Sequence, residues 1–246
     1  LFPKEIAMRT LALAALLSSC LLLDAGAQDK KKETAKKAEP KVWMCKKGEL
    51  LWEQHFDGTF PKDWHKGKGD WQFDGDALKG AEVAADKHNT YMSREIPTPN
   101  VILQFSFKLQ GCPWMGASVD GKEHVSNLSL QPELFKIAKV TGIGPTTKHT
   151  EVDSTKLKLS DDAWHTVVWE IYGDEMVATI DDTVMSLAKA DGLSMDRNHV
   201  ELNNGGQWAW FKDIKVWKAE LDDKWPAKRT QLITMMKKKA DKLGYK

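Results

Sequence analysis

Residues Trp164 to Asp182 read WHTVVWEIYGDEMVATIDD, and the order of apolar and polar side chains in this stretch decides the architecture. His165, Val167, Trp169 and Ile171 alternate with Thr166, Val168, Glu170 and Tyr172, the period of two that lays one face of a strand on a core. Gly173-Asp174 interrupts the pattern, since glycine takes up the positive φ that a tight turn needs. Met176, Ala178 and Ile180 then resume the alternation, and Asp181-Asp182 turns the chain again. The stretch is a β-hairpin that feeds a second turn.

Working outward, the same period recurs. Leu103, Phe105, Phe107 and Leu109 alternate with Gln104, Ser106, Lys108 and Gln110, and His124 to Gln131 places Leu128 and Leu130 opposite Asn127, Ser129 and Gln131. Leu134 to Val140, Val200 with Leu202, and Trp208 to Trp217 read as further strands, separated by turn residues such as Asp57-Gly58, Asp74-Gly75 and Asn204-Gly205-Gly206. Residues 141–160, rich in Thr, Lys and Gly, read as a long polar connection. Strand after strand without an intervening helix predicts an all-β, two-sheet jelly-roll sandwich over residues 48–218. Its expected core is Leu103, Phe105, Phe107, Leu128, Leu130, Val167, Trp169, Ile171, Val200, Leu202, Ile214 and Val216, with Trp71 and Trp164 also inside. Beyond Pro226, Leu232, Met235, Met236, Ala240 and Leu243 recur at spacings of three and four among lysines, which predicts an amphipathic C-terminal helix within residues 219–246.

Two stretches carry a resemblance. The run Trp164–Asp182 resembles the late strands of concanavalin A-like, laminin-G-like jelly rolls. Phe56, Asp57, Gly58, Trp64, Gly69, Asp70, Trp71, Asp74, Gly75, Leu78 and Gly80, in the order F-D-G, W, G-D-W, D-G-x-L-x-G, resemble the 3-keto-disaccharide hydrolase-like family of exported bacterial proteins. That resemblance implies a jelly roll acting on oxidised disaccharides: a ketone at C3 acidifies the C2 proton, and a base starts elimination of the leaving sugar. The family's central strand carries carboxylates and amides, whereas the matching strand here, His124 to Gln131, has amides and hydroxyls in place of the acids. Amides and hydroxyls bind a sugar but do not act as general base at neutral pH.

The ends differ from the body. Met8-Arg9, the apolar run Leu11–Leu23 and the small residues Ala25-Gly26-Ala27 read as a signal peptide over residues 1–27, with translation starting at Met8. Leu17-Ser18-Ser19-Cys20 also resembles a lipoprotein lipobox, which would anchor the protein to a membrane through Cys20. Residues 28–47 carry 8 lysines against 3 acids and read as a solvated linker, and residues 219–246 carry 8 Lys/Arg against 4 acids, a basic end able to meet an anionic membrane surface. Residues 48–218 hold 18 Lys/Arg against 26 Asp/Glu, so the folded body repels polyphosphate and nucleic acid is excluded as its ligand. The expected location is outside the cytoplasm, periplasmic or secreted. With the leader removed only Cys45 and Cys112 remain, candidates for a disulfide in an oxidising compartment.

Eleven tryptophans are the most unusual feature of the composition. Trp114, after Gly111-Cys112-Pro113, is a candidate platform for the apolar face of a sugar ring. Gln104, Lys108, Asn127 and Gln131 would bond its hydroxyls, and Trp208 and Trp210 would extend the contact. The candidate bases are His124, Glu170 and Glu201. Glu151-Val152-Asp153 begins the Glu-x-Asp pattern of family 16 glycoside hydrolases, but Thr155 and Lys156 stand where its last Glu belongs. The seven histidines show no metal-ligand spacing, and no cofactor is expected; the Asp-Gly turns at 57, 74, 120 and 191 offer oxygens to calcium at most. The sequence therefore points to an exported, non-catalytic, carbohydrate-binding jelly roll with a glycan partner. The alternatives are a hydrolase or lyase of 3-keto-disaccharides and a structural protein of the cell envelope.

Overall fold

The structure, a computed structural model, describes residues 39–243, with side chains as far as residue 238. The leader, Cys20, most of the linker and the side chains of Ala240 and Leu243 lie outside the described residues. In chain order the elements are β1 (Cys45–Gln54), β2 (His65–Lys66), β3 (Asp70–Asp74), β4 (Ala77–Ala81), β5 (Thr90–Glu95), β6 (Val101–Lys108), β7 (Trp114–Asp120), β8 (Ser126–Leu130), β9 (Leu134–Thr141), β10 (Lys148–Lys156), β11 (His165–Tyr172), β12 (Glu175–Ile180), β13 (Thr183–Lys189), β14 (His199–Gly205), β15 (Ala209–Leu221) and α1 (Trp225–Leu243). Residues 141–160 are thus not all connection, because the Thr-rich run Lys148–Lys156 is a strand whose β-branched residues pair along β9.

The strands form two antiparallel sheets. The first runs β13-β12-β11-β6-β15-β4-β3, with β1 also paired to β15; the second runs β10-β9-β8-β7-β14-β5-β2. The hairpin of the opening stretch is β11 and β12, paired from Val167↔Ile180 to Tyr172↔Glu175. Gly173 sits at φ 57° in its turn, and Asp181 and Asp182 at 48° and 61° in the next. Between the sheets lies one continuous apolar layer that buries all twelve expected core residues together with Trp71. Trp164 is not among them: it is 36% exposed, because it precedes β11 on the face that turns away from this layer.

The outer face of the first sheet has a core of its own. Ile102, Val168, Val177 and Trp217 project outward and are covered by Met44 and Cys45 from the incoming chain and by Trp225 and Leu232 of α1. The domain therefore begins before residue 48, at the last residues of the lysine-rich stretch. The helix stripe is only partly used: Leu232 is buried, but Met235 is exposed.

Glu170, read as a candidate base, lies in this outer core. Its carboxylate accepts the backbone N–H groups of Trp43 at 2.7 Å, Met44 at 2.8 Å and Cys45 at 2.6 Å, so it is spent on holding the incoming chain. The expected disulfide is absent as well. Cys45 is buried in the outer core and Cys112 in the layer between the sheets, and both thiols are free. Burial pushes the Cys112 thiol up to about 11 and the Cys45 thiol further, so neither is a ready nucleophile.

Arg197 is a second internal clamp, 2% exposed. Its guanidinium donates to the carbonyls of Pro99, Gly173 and Leu193 and to Asn100 Oδ1, tying together three loops at one end of the sandwich. Burial lowers its pKa to about 10.

The Glu170 clamp has a signed pH dependence. Burial pushes its carboxyl up to about 6 from the ordinary 4.5, against the opposing pull of the three N–H groups and of Lys228. The folded form therefore holds the extra proton, and the stability this group contributes is complete below the unfolded pKa and lost as pH rises through about 6. Glu170→Gln keeps the shape but offers one acceptor oxygen to three donors, and is expected to cost about 1–3 kcal/mol. Urea denaturation of both proteins across this pH range should show a lower midpoint for the variant and a steeper fall in stability with rising pH in the wild type than in the variant, in which the other titrating groups remain.

Candidate functional site

The outer face of the second sheet is polar where the first sheet is covered. Along β7, Met115, Ala117 and Val119 enter the core, which leaves Trp114, Gly116, Ser118 and Asp120 facing out. The same alternation turns Glu201, Asn203 and Gly205 of β14 and Asn127 and Ser129 of β8 outward. Strand register sets them side by side: Glu201 opposite Ser118, Ser118 opposite Asn127, Asn203 opposite Gly116, and Gly205 opposite Trp114.

Over this floor lies a cavity of about 630 Å³. His88, Asn89 and Tyr91, at the entry to β5, line one side, and Val140 of β9, Gly144 and Thr147 of the β9–β10 connection and His149 of β10 line the other. Trp114 and His124 complete the lining near opposite ends of β7. Two glycines make room for the aromatic walls. A Cβ on Gly205 would stand 2.2 Å from the Trp114 indole nitrogen, and one on Gly67 would stand 2.2 Å from the Tyr91 ring.

The polar groups are held in a network. Asp120 is buried; its Oδ1 accepts the N–H groups of Val125 at 2.7 Å and Ser126 at 3.2 Å, and its Oδ2 faces His124 Nδ1 at 3.0 Å. That hydrogen bond, against a smaller opposing effect of burial, raises the His124 pKa. Glu201 is raised chiefly by burial, although Asn203 Nδ2 donates to its Oε1 at 3.0 Å. Ser118 Oγ accepts from Asn127 Nδ2 at 3.2 Å and from Asn203 Nδ2 at 3.4 Å. Asn203 Oδ1, buried in the floor, has no hydrogen-bond partner among the described residues. The pocket thus combines two aromatic walls, amides and hydroxyls, a desolvated carboxyl and a His–Asp pair. Among the described residues no group of three or more His, Cys, Asp or Glu side chains could hold a metal ion.

Of the residues expected from sequence, the structure brings Trp114, Asn127, His124 and Glu201 into this one pocket. The others lie elsewhere. Gln104, Lys108 and Trp210 are on the outer face of the first sheet, where Trp210 stands opposite Lys108 and Lys79. There Lys108 Nζ sits 4.6 Å from the Trp210 ring centroid, Lys79 Nζ sits 5.0 Å from that of Trp208, and the Trp210 indole donates to Asp74 at 2.8 Å. The turn Gly205-Gly206 carries the chain from one sheet to the other, so Trp208 and Trp210 do not extend the Trp114 surface. Gln131 closes the β8–β9 corner through backbone bonds with Leu134. Sequence reading missed His88, Tyr91, Ser118, His149 and Asn203. For Ser118 and Asn203 the signal was available, because they continue the outward period from Trp114 and Glu201.

No protein-family model matches the chain, and no curated protein sequence matches it. Among solved structures it is similar to the carbohydrate-binding module CBM66 from Bacillus subtilis, with a TM-score of 0.51 and 13% identity over 63% of this chain and 96% of that one. It is also similar to SCLam, a non-specific endo-β-1,3(4)-glucanase of family GH16, with a TM-score of 0.54 and 11% identity over 73% of this chain and 94% of that one. A third is the CBM2 module of the evolved Dit of Lactobacillus casei BL23 phage J-1, at 0.52 and 11% over 72% and 98%. At these identities the likeness shows a shared fold, the concanavalin A-like jelly roll.

The His124–Asp120 pair is open to direct measurement. Asp120→Asn retains an oxygen for the Val125 and Ser126 N–H groups but removes the charge, so the His124 pKa should move down. An NMR titration of the imidazole checks this, and an unchanged titration would show that Asp120 does not set the state of His124.

Proposed function

We propose that the pocket on the second sheet binds a saccharide and that the protein is a carbohydrate-binding jelly roll. The observation that carries the proposal is the composition of the cavity: two aromatic rings, each seated against a glycine, around a floor of Asn127, Ser118 and Asn203. A sugar ring offers an apolar face and a rim of hydroxyls, the complement of such a surface. The likeness in fold to a carbohydrate-binding module and a glucanase agrees with this reading. The leader read in the sequence makes the exterior of the cell its proposed place of action, which fractionation of the native host would test.

A second reading keeps the same pocket and adds turnover. It rests on Glu201, a buried carboxyl raised above its usual range, sharing a cavity with the His124–Asp120 pair. The central strand β8 lacks acids, but neighbouring β14 and β7 supply them, so the absence noted in the sequence does not by itself remove a base. In this reading Glu201 or His124 would take the C2 proton of a 3-keto-disaccharide, the substrate implied by the resemblance at residues 56–80. Incubation with 3-keto-trehalose should then release product that either Glu201→Gln or His124→Gln abolishes, whereas product no greater than with an unrelated protein would remove this reading.

For the binding reading, a glycan array followed by tryptophan-fluorescence titration is expected to find ligands with dissociation constants on the order of micromolar to millimolar. Trp114→Ala should weaken binding about tenfold or more, a loss of ~1.4 kcal/mol. Trp210→Ala, on the opposite sheet, should leave it unchanged. Absence of any glycan signal for the wild type would overturn the proposal.

A further inference from the structure

The shape of the cavity says how a glycan would enter it. The strand order β9-β8-β7-β14-β5 fixes one axis of the pocket, across the strands, and the strand direction fixes the other. Across the strands the floor ends at both sides in chain that also lines the cavity: His88, Asn89 and Tyr91 beside β14, and Gly144, Thr147 and His149 beyond β8. Along the strands, Trp114 lies at one end of β7, and His124 is held to Asp120 at the other. A polymer lying across the strands would meet a wall on each side, and one lying along them would meet Trp114 and His124.

Resting on the saccharide reading above, we propose that this pocket recognises the end of a glycan, or a short oligosaccharide, and does not take the interior of a long chain. A volume of about 630 Å³ is that of a site for a drug-sized ligand, on the order of two or three sugar rings. Units beyond these leave the pocket toward solvent and make no contact that adds affinity. The walls are built features. The β9–β10 connection turns through Gly142 and Gly144 at φ 79° and 53°, and Gly144, Thr147 and His149 line that side of the cavity. On the other side the His88 and Tyr91 rings pack at 5.3 Å between centroids.

The test is calorimetric titration of the full chain with cello-, laminari- and malto-oligosaccharides of two and six units, and with the cyclic form of maltohexaose, which has no end. The expected result, in whichever series binds, is a hexasaccharide affinity within about threefold of the disaccharide affinity. One protein should bind per chain end on the parent polymer, and partial digestion of that polymer should increase the amount of protein bound. The cyclic hexasaccharide should fail to bind where the linear one binds. An affinity rising tenfold or more from two to six units, several proteins per polymer chain, or binding of the cyclic form as tight as the linear one would overturn end recognition while leaving saccharide binding intact. No heat with any series, together with an empty glycan array, would overturn both.

Discussion

A strand has two faces and a sandwich consumes only one of each, so the organisation of this protein depends on what becomes of the outward faces. On the first sheet, half of the outward face is apolar, with Ile102, Val168, Val177 and Trp217, and must be covered. The chain covers it with its own ends, residues 42–47 on one side of the sequence and the start of α1 on the other. Backbone brought onto an apolar surface loses water as a hydrogen-bonding partner, which is why Glu170 is buried there with three N–H donors on its carboxylate. On the second sheet the outward face stays polar, no helix or strand among the described residues covers it, and the cavity lies there.

The fold was legible because period-two alternation is a local property. The β11–β12 hairpin, its turns and the twelve core residues follow from neighbours in sequence, and the structure buries all twelve. The failures share a physical origin. Glu170 sits at an outward position of β11, and outward ordinarily means solvated; only the pairing of chain ends with that face buries it. Cys45 and Cys112 looked paired because two cysteines were left over, but nothing local reports that one lies outside the first sheet and the other between the sheets. Trp164 shares the period of Thr166, Val168 and Glu170, so it belongs to the outward face, and it falls one position short of the strand.

The site was legible in halves. Trp114, Asn127, His124 and Glu201 lie on or beside three strands adjacent in the second sheet, and that adjacency, β8-β7-β14, joins segments separated by some seventy positions in the chain. Alternation told which face each residue occupies but not which strands are neighbours. The same gap explains why Trp208 and Trp210 were expected to extend the Trp114 contact. They follow β14, the neighbour of the Trp114 strand, closely in sequence, but the intervening turn changes sheets.

Both outward faces carry tryptophan, and the difference between them decides where a ligand can sit. On the first sheet, Lys79, Lys108 and Lys212 already lie over the rings of Trp208, Trp210 and Trp164. Lys79 and Lys212 are also paired with Asp74 and Asp76. A sugar stacking there would have to displace ammonium groups from rings they already satisfy, losing cation–π attraction of about 0.5–1 kcal/mol each before gaining any contact. Among the described residues no such cation lies over Trp114. Its indole rests on Gly205, and beside it stand amides that donate to Ser118 and Glu201. A ligand stacking on Trp114 would displace none of these ammonium groups, which makes the surface with one tryptophan and one tyrosine the better placed of the two for the proposed saccharide.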